Sequence, residues 1–140
     1  MKTKNKVLNT VKNILKKEPN IEFAFLFGSY AKGEETEFSD IDIAIYTKEQ
    51  KDKYDNIKFE FEIETKLSEK IPLQKFDVRT LNYAPIVIVG KIINEGNLLF
   101  AQNETFLTDY IVRNRIKYMD YMIVYKPLLE QRYEELLNGR

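Results

Sequence analysis

The chain opens on a stretch whose apolar residues fall at Val7, Val11, Ile14 and Leu15 among lysines and asparagines, the spacing of one buried helix face. Glu18-Pro19-Asn20 ends that pattern, and residues 21–27 (IEFAFLF) form a compact apolar run of strand length. Gly28-Ser29 closes the run, and residues 30–34 leave room for a turn and one or two helical turns. Residues 35–39 are polar and read as a loop. Residues 40–46 (DIDIAIY) then alternate strictly, so a strand there carries Ile41, Ile43 and Ile45 on one face and Asp40, Asp42 and Ala44 on the other.

The pattern downstream is mixed. Within residues 48–70, Phe59, Phe61 and Ile63 alternate like a strand, while Tyr54, Ile57, Phe61 and Leu67 line a helix face. The length of the segment and its density of Glu and Lys favour a helix with a solvated charged face. Pro72 opens a third predicted strand over residues 73–79 (LQKFDVR), with Phe76 and Val78 facing one way and Asp77 the other. Pro85 marks a helix start, residues 84–95 are apolar enough to be buried, and Gly96 closes the helix. Over residues 104–137, Phe106, Tyr110, Tyr118, Met122, Tyr125, Leu129, Tyr133 and Leu136 recur at roughly helical spacing. That predicts one long helix or a helix pair, bent or broken at Pro127. The Tyr and Met stripe reads as packed core ahead of a partner-docking surface. The predicted class is α/β (α+β): a small mixed sheet flanked by helices, with residues 1–100 as the core and 101–140 as a helical extension packed on it, a single domain overall.

Composition narrows the chemistry. At 140 residues the chain fits one domain, so acceptor specificity beyond a small pocket must come from a partner or an oligomer. Lys+Arg and Asp+Glu both number 22, which gives no global field to draw in nucleic acid, and none is expected to bind directly. The absence of Cys removes disulfides, thiolate nucleophiles and zinc-cysteine sites, and suits a reducing cytoplasm. The absence of His removes Ser-His-Asp triads, imidazole bases and His-bound metals. Catalysis is left to carboxylates, amines, hydroxyls or an oxygen-bound cation. The N-terminus lacks the apolar run of a signal peptide, and no stretch of about 18 apolar residues predicts a membrane span.

The informative stretch is 27–45. Asp40 and Asp42, at i and i+2 of a strand, present their carboxylates together, and two such anions repel by on the order of a kcal/mol even in a wet site. Mg²⁺ suits them, since it prefers hard oxygen ligands supplied by one or two carboxylates and by substrate phosphates. Asp77 lies on a separate predicted strand. If that strand pairs beside the Asp40 strand, three carboxylates could bracket two ions about 3.5–4 Å apart, the arrangement for in-line phosphoryl displacement. Gly28 lets backbone N–H groups approach a phosphate, the Ser29 hydroxyl adds a hydrogen bond, and Lys32 could add charge beside a triphosphate. Each has a plainer reading: a solvated strand face for Asp40 and Asp42, a polar outer residue for Asp77, a strand terminator for Ser29, and an exposed lysine for Lys32. The Gly-Ser turn, the spacing and the buried strand before it favour the chemical reading for the acids.

These residues resemble the nucleotidyltransferase superfamily that includes DNA polymerase beta and kanamycin nucleotidyltransferase, whose signature is Gly-Ser, about ten residues, then Asp-x-Asp. Here it stands as Gly28-Ser29, residues 30–39, and Asp40-Ile41-Asp42. The fuller string LFGSYAKGEETEFSDIDIAIY, with the later FDVRTLNYAPIVIVGKIINEGNLLF, is similar to the small MNT-type members of HEPN/MNT toxin-antitoxin modules. The resemblance implies ATP and Mg²⁺ as donor and cofactor, with Asp40, Asp42 and Asp77 as metal ligands. It implies that Asp77 also takes the acceptor's proton and that Gly28 and Ser29 clamp phosphate. It implies transfer of AMP to a hydroxyl, a tyrosine's in some members, of a partner HEPN-domain ribonuclease that the enzyme thereby neutralises as its antitoxin. Two alternatives stay open: transfer to a small molecule such as an aminoglycoside, and a silent binding module that acts by occlusion.

Overall fold

A computed structural model of the chain describes residues 2–49 and 52–139. Met1, Gln50, Lys51 and Arg140 lie outside the described residues, so the parts of the expectations that fall on them are not addressed.

The first half follows the hydrophobic pattern closely. Helix α1 (Lys2–Lys16) buries Val11 and Leu15, and strand β1 (Ile21–Phe27) is interior along nearly its whole length. A single turn of helix, α2 (Ser29–Lys32), follows Gly28 and leads through a polar loop to β2 (Ile41–Thr47). Helix α3 (Lys53–Lys70) starts where the Asp52 side chain accepts the N–H of Asp55, a cap that satisfies one of the orphan donors of a helix start. Strand β3 (Phe76–Thr80), helix α4 (Ile86–Glu95), strand β4 (Asn97–Ala101) and helix α5 (Glu104–Asp120) complete the core. A π-helical segment (Tyr121–Tyr125) then joins α5 to α6 (Lys126–Leu137).

The sheet order is β3-β2-β1-β4, antiparallel except for the parallel β2–β3 pair. One face packs on α1 and α3 through Val11, Leu15, Ile41, Ile43, Ile45, Ile63 and Leu67. The other packs on α4 and α5 around Phe23, Phe25, Val89, Ile92, Leu107 and Tyr110, where Phe23 stacks on Tyr46 with ring centroids 5.1 Å apart. This burial fixes the register. Sliding β2 by one residue would turn three isoleucines, each stabilising by roughly 1.5–3 kcal/mol when buried, onto the α4–α5 face where Ala44 fits, and would drive Asp42 into the α1–α3 core.

Several expectations are corrected. Residues 73–75 are not strand: Leu73 has φ +73° and is fully exposed, so the chain turns after Pro72 and pairing begins at Phe76. The helix in 48–70 begins at Lys53, and its buried face is Asn56, Ile63 and Leu67, whereas Tyr54, Ile57 and Phe61 are exposed. Nor is its charged face wholly solvated. Glu64 accepts the N–H of Val78 at 3.0 Å and Glu60 that of Thr80 at 2.6 Å, which closes the free edge of β3. Finally, the C-terminal stripe is core only through Tyr110 and half-buried Tyr118, whose ring lies where a Cβ on Gly90 would sit. Met119, Ile123, Tyr125, Leu129, Tyr133 and Leu136 are exposed. Pro127 does not break the helix, because the widened π turn just before it accommodates the clash that the proline ring makes with the carbonyl four residues back.

Candidate active site

The parallel β2–β3 pairing sets Asp42 directly opposite Asp77, and the antiparallel β1–β2 pairing sets Phe27 opposite Asp42. One row across three strands therefore reads Phe27, Asp42, Asp77. Asp40 lies just ahead of β2 and is exposed. Its position is set by backbone pairing, as Ile41 N donates to Lys75 O at 2.9 Å. A side-chain relay holds the same strand ends together. The Tyr30 hydroxyl donates to Gln74 Oε1 at 3.3 Å, and Gln74 Nε2 donates to Ser39 O at 3.1 Å, which links α2 to the residues preceding both acid-bearing strands.

Gly28 sits above this row with φ 72° and ψ −153°. A Cβ built on it would stand 2.2 Å from Asp42 Oδ2, so the carboxylate occupies the space that any other residue would fill. The sequence suggested a different use for this glycine, the approach of backbone N–H groups to a phosphate, and the two uses are compatible. Ser29 opens α2, and Lys32 ends it with Nζ 4.0 Å from Glu95, a long and exposed ion pair of little energetic weight. Lys32 and Gly28 share the wall of a small cavity of about 230 Å³.

Electrostatically the row is unbalanced. Burial, then the neighbouring charges of Asp77 and Asp40, push the Asp42 carboxyl above the usual carboxylate range, and Arg79 only partly offsets them. Arg79 Nε donates to Asp77 Oδ1 at 2.9 Å, and that bond holds the guanidinium charged. As the side chains stand, no three acids among the described residues enclose an ion. The donor set nonetheless suits one. Three hard oxygen donors lie on adjacent strand ends, one of them disfavours its own charge, and the cation now answering them is an exposed arginine on the same strand as Asp77. Sequence reasoning missed Arg79, Tyr30 and Gln74. Arg79 was visible as the residue two beyond Asp77, hence on the same strand face, whereas the Tyr30–Gln74–Ser39 relay joins positions too far apart in sequence to be paired by pattern.

A second, larger cleft of about 920 Å³ opens between the start of α3, the end of β3 and the start of α4, and Phe27 lines it too. Asp77 and Arg79 are in its wall, and Phe27, Ile88 and Ile92 separate it from the small cavity.

Comparison with known proteins places the fold in a family. The family described as "Polymerase beta, Nucleotidyltransferase" matches residues 9–105, a span that contains the whole sheet. A candidate protein adenylyltransferase of Methanocaldococcus jannaschii is 34% identical over 76 residues, covering 54% of this chain and 76% of that protein. Among solved structures, a chain from the complex of tri-AMPylated Shewanella oneidensis HEPN toxin with MNT antitoxin superposes with a TM-score of 0.68 at 19% identity, covering 93% of this chain and 98% of that one. A chain from a toxin-antitoxin structure with AMP-PNP gives 0.62 at 21% identity, covering 94% and 97%. At those identities the structural likeness establishes the fold. Among the described residues, no helix is long and apolar enough to cross a membrane.

Proposed function

The chain belongs to the polymerase beta nucleotidyltransferase family, and on that premise we propose that it uses ATP and Mg²⁺ to transfer AMP to a tyrosine hydroxyl of a HEPN-domain ribonuclease, acting as that protein's antitoxin. The observation that carries the chemistry is the register that sets Asp42 beside Asp77 beneath Gly28. The acceptor is inferred from the relatives: one bears the name of a protein adenylyltransferase, and another comes from a complex whose toxin is AMPylated. The exposed apolar length of α5 and α6 gives such a partner a surface to bind.

On this reading Asp40, Asp42 and Asp77 would hold the metal, as two ions. Mg²⁺ held by these acids would supply positive charge against the α-phosphate and the departing pyrophosphate. Asp77 takes the proton of the attacking hydroxyl as its oxygen bonds to the α-phosphorus and the bond to the pyrophosphate oxygen breaks. Gly28 and Ser29 hold the triphosphate through backbone N–H groups and a hydroxyl, with Lys32 adding charge beside the leaving group.

The test is incubation with Mg²⁺, ATP labelled at the α-phosphate and a candidate HEPN-domain protein, repeated with the Asp40→Ala/Asp42→Ala variant. Label on the partner that vanishes with the variant is the expected result. Inhibition of the ribonuclease by the double variant without any label would replace transfer with occlusion.

A further inference from the structure

A third cavity, of about 320 Å³, lies between the end of β2, the turn after β3 and the helices α4 and α5. We infer that it binds a small phosphate monoester, held by Arg113, Lys117 and the Tyr110 hydroxyl. Tyr46, in its wall, is four residues beyond Asp42 on β2, about 13 Å at the rise of an extended strand, so this cavity and the row of acids are separate places.

Its charge is of one sign. Arg113 and Lys117 stand one helical turn apart on α5 and project on the same side of it. Neither has an ion-pair partner among the described residues, and no carboxylate is in the cavity wall. Arg113 Nε donates to Asp109 O of its own helix at 3.4 Å, which leaves both terminal nitrogens of the guanidinium open. Such a fork matches two oxygens of a phosphate, and the ammonium beside it answers the second charge of a dianion.

It also holds a buried donor with nothing to bond. Tyr110 is only 8% exposed, and its hydroxyl has no hydrogen-bond partner among the described residues. The one fully sealed side-chain polar atom without a partner among those residues is Glu35 Oε2, so the Tyr110 oxygen reaches open space, in the cavity that Tyr110 lines. Burial, then the neighbouring Tyr46, push that hydroxyl above the usual phenol range, so it keeps its proton and offers it. Tyr46, whose ring lies 5.2 Å from that of Tyr110 between centroids, brings a second hydroxyl to the same wall. A ligand oxygen would satisfy a donor that the chain itself leaves unmatched.

Size and the remaining wall set the ligand class. The volume is at the low end for small-molecule pockets, room for one compact ligand. Leu81, Ile86 and Val89 form an apolar side, which suits the carbon skeleton of an ester better than a bare phosphate ion. Asn114 spends one N–H on Tyr110 O at 2.8 Å and keeps the other, with its oxygen, for a hydroxyl of that skeleton. Asn82 is occupied in fixing the wall: it accepts the N–H of Thr47 at 3.0 Å and donates to Thr47 O at 2.9 Å.

The test uses the full chain without Mg²⁺ or ATP, so its outcome is independent of the transferase reading. The probe is ribose 5-phosphate, titrated by calorimetry while the NMR side-chain amide signals of Asn114 and the methyl signals of Ile86 and Val89 are followed. Saturable binding with shifts at those residues is expected, and weaker binding of inorganic phosphate and of ribose. Arg113→Ala and Lys117→Ala should each raise the Kd about tenfold or more, the scale of a hydrogen bond to a charged group. Tyr110→Phe keeps the ring in its packing and removes only the oxygen, and it should raise the Kd by a similar factor with the Tm held. Arg115→Ala, an exposed cation of the same helix outside the cavity wall, is the control and should change nothing. No saturable binding, shifts centred on Gly28 and Ser29 instead, or a Kd unchanged in the Arg113, Lys117 or Tyr110 variant overturns the assignment. Ribose binding as tightly as its phosphate overturns the ligand class. A 5′-phosphorylated oligonucleotide that binds about tenfold more tightly than ribose 5-phosphate overturns the small-molecule source in favour of nucleic acid.

Discussion

Ile43 of β2 and Leu129 of α6 are both aliphatic residues on regular elements, yet Ile43 is fully buried and Leu129 is 56% exposed. The contrast runs through the molecule. In the sheet, each apolar side chain has a place inside the chain's own fold, and the positions of the acids follow from that: burying Ile41, Ile43 and Val78 on the α1–α3 side forces Asp42 and Asp77 out together on the other. Beyond Tyr118 the apolar residues find no such place. The sheet's sequence answers to its own interior; on the proposed reading the C-terminal rod's answers to the partner.

The sharpest way to test the first half of that contrast is at the acids, where the largest effects are expected. Asp77→Asn should lower transfer by roughly 10³-fold or more, the scale seen when one member of a cooperating set is removed, with ATP binding by calorimetry largely kept. Near-normal turnover would take Asp77 out of the mechanism. Asp42→Asn should abolish transfer as well, and it carries a second readout. An acid whose folded pKa is raised above its unfolded value costs stability at any pH above both values, so neutralising Asp42 should raise the Tm of the metal-free protein at neutral pH. Added Mg²⁺ should then stabilise the parent and leave the variant unmoved. A lower Tm in the metal-free variant would mean that Asp42 is not electrostatically frustrated.

Smaller effects are expected in the scaffold. Ile43→Ala empties a fully buried position and should cost about 2–5 kcal/mol by denaturant melt. Glu64→Ala removes the acceptor of the Val78 N–H on the exposed edge of β3 and should cost about 1–3 kcal/mol. Glu64→Gln keeps a carbonyl oxygen in that place and should restore most of it. An equal loss in both variants would show that charge, not edge pairing, is what Glu64 supplies.

The same contrast explains what could be read from sequence. Strands β1 and β2 and the start of α4 were legible because their pattern answers only to burial and backbone geometry: an unbroken apolar run, a strict alternation, a proline at a helix start. The Gly-Ser and Asp-x-Asp spacing was legible for the same reason, being local. The face of α3 was not. Tyr54, Ile57 and Phe61 have helical spacing, but periodicity identifies an apolar face without saying whether core or a cleft receives it, and the true interior contact includes the polar Asn56. Leu73 escaped because a left-handed leucine is rare enough that no pattern predicts it. The Tyr and Met stripe misled as α3 did, since beyond Tyr118 its side chains are exposed.

The least visible change should be Leu129→Ala, and it tests the second half of the contrast. If α6 spends its apolar surface on nothing within the chain, shortening an exposed side chain there should alter the stability of the isolated protein by no more than about 0.5 kcal/mol. The informative comparison is with Ile43→Ala, a similar truncation at the buried extreme, measured in the same melt. A loss at Leu129 approaching that at Ile43 would mean that α6 is covered in the isolated protein, by a second copy or by docking back on the sheet, and sedimentation would separate those two. Should the melt be unchanged while retention of the HEPN-domain protein on the immobilised chain weakens, the exposed stripe is the part of the sequence written for that partner.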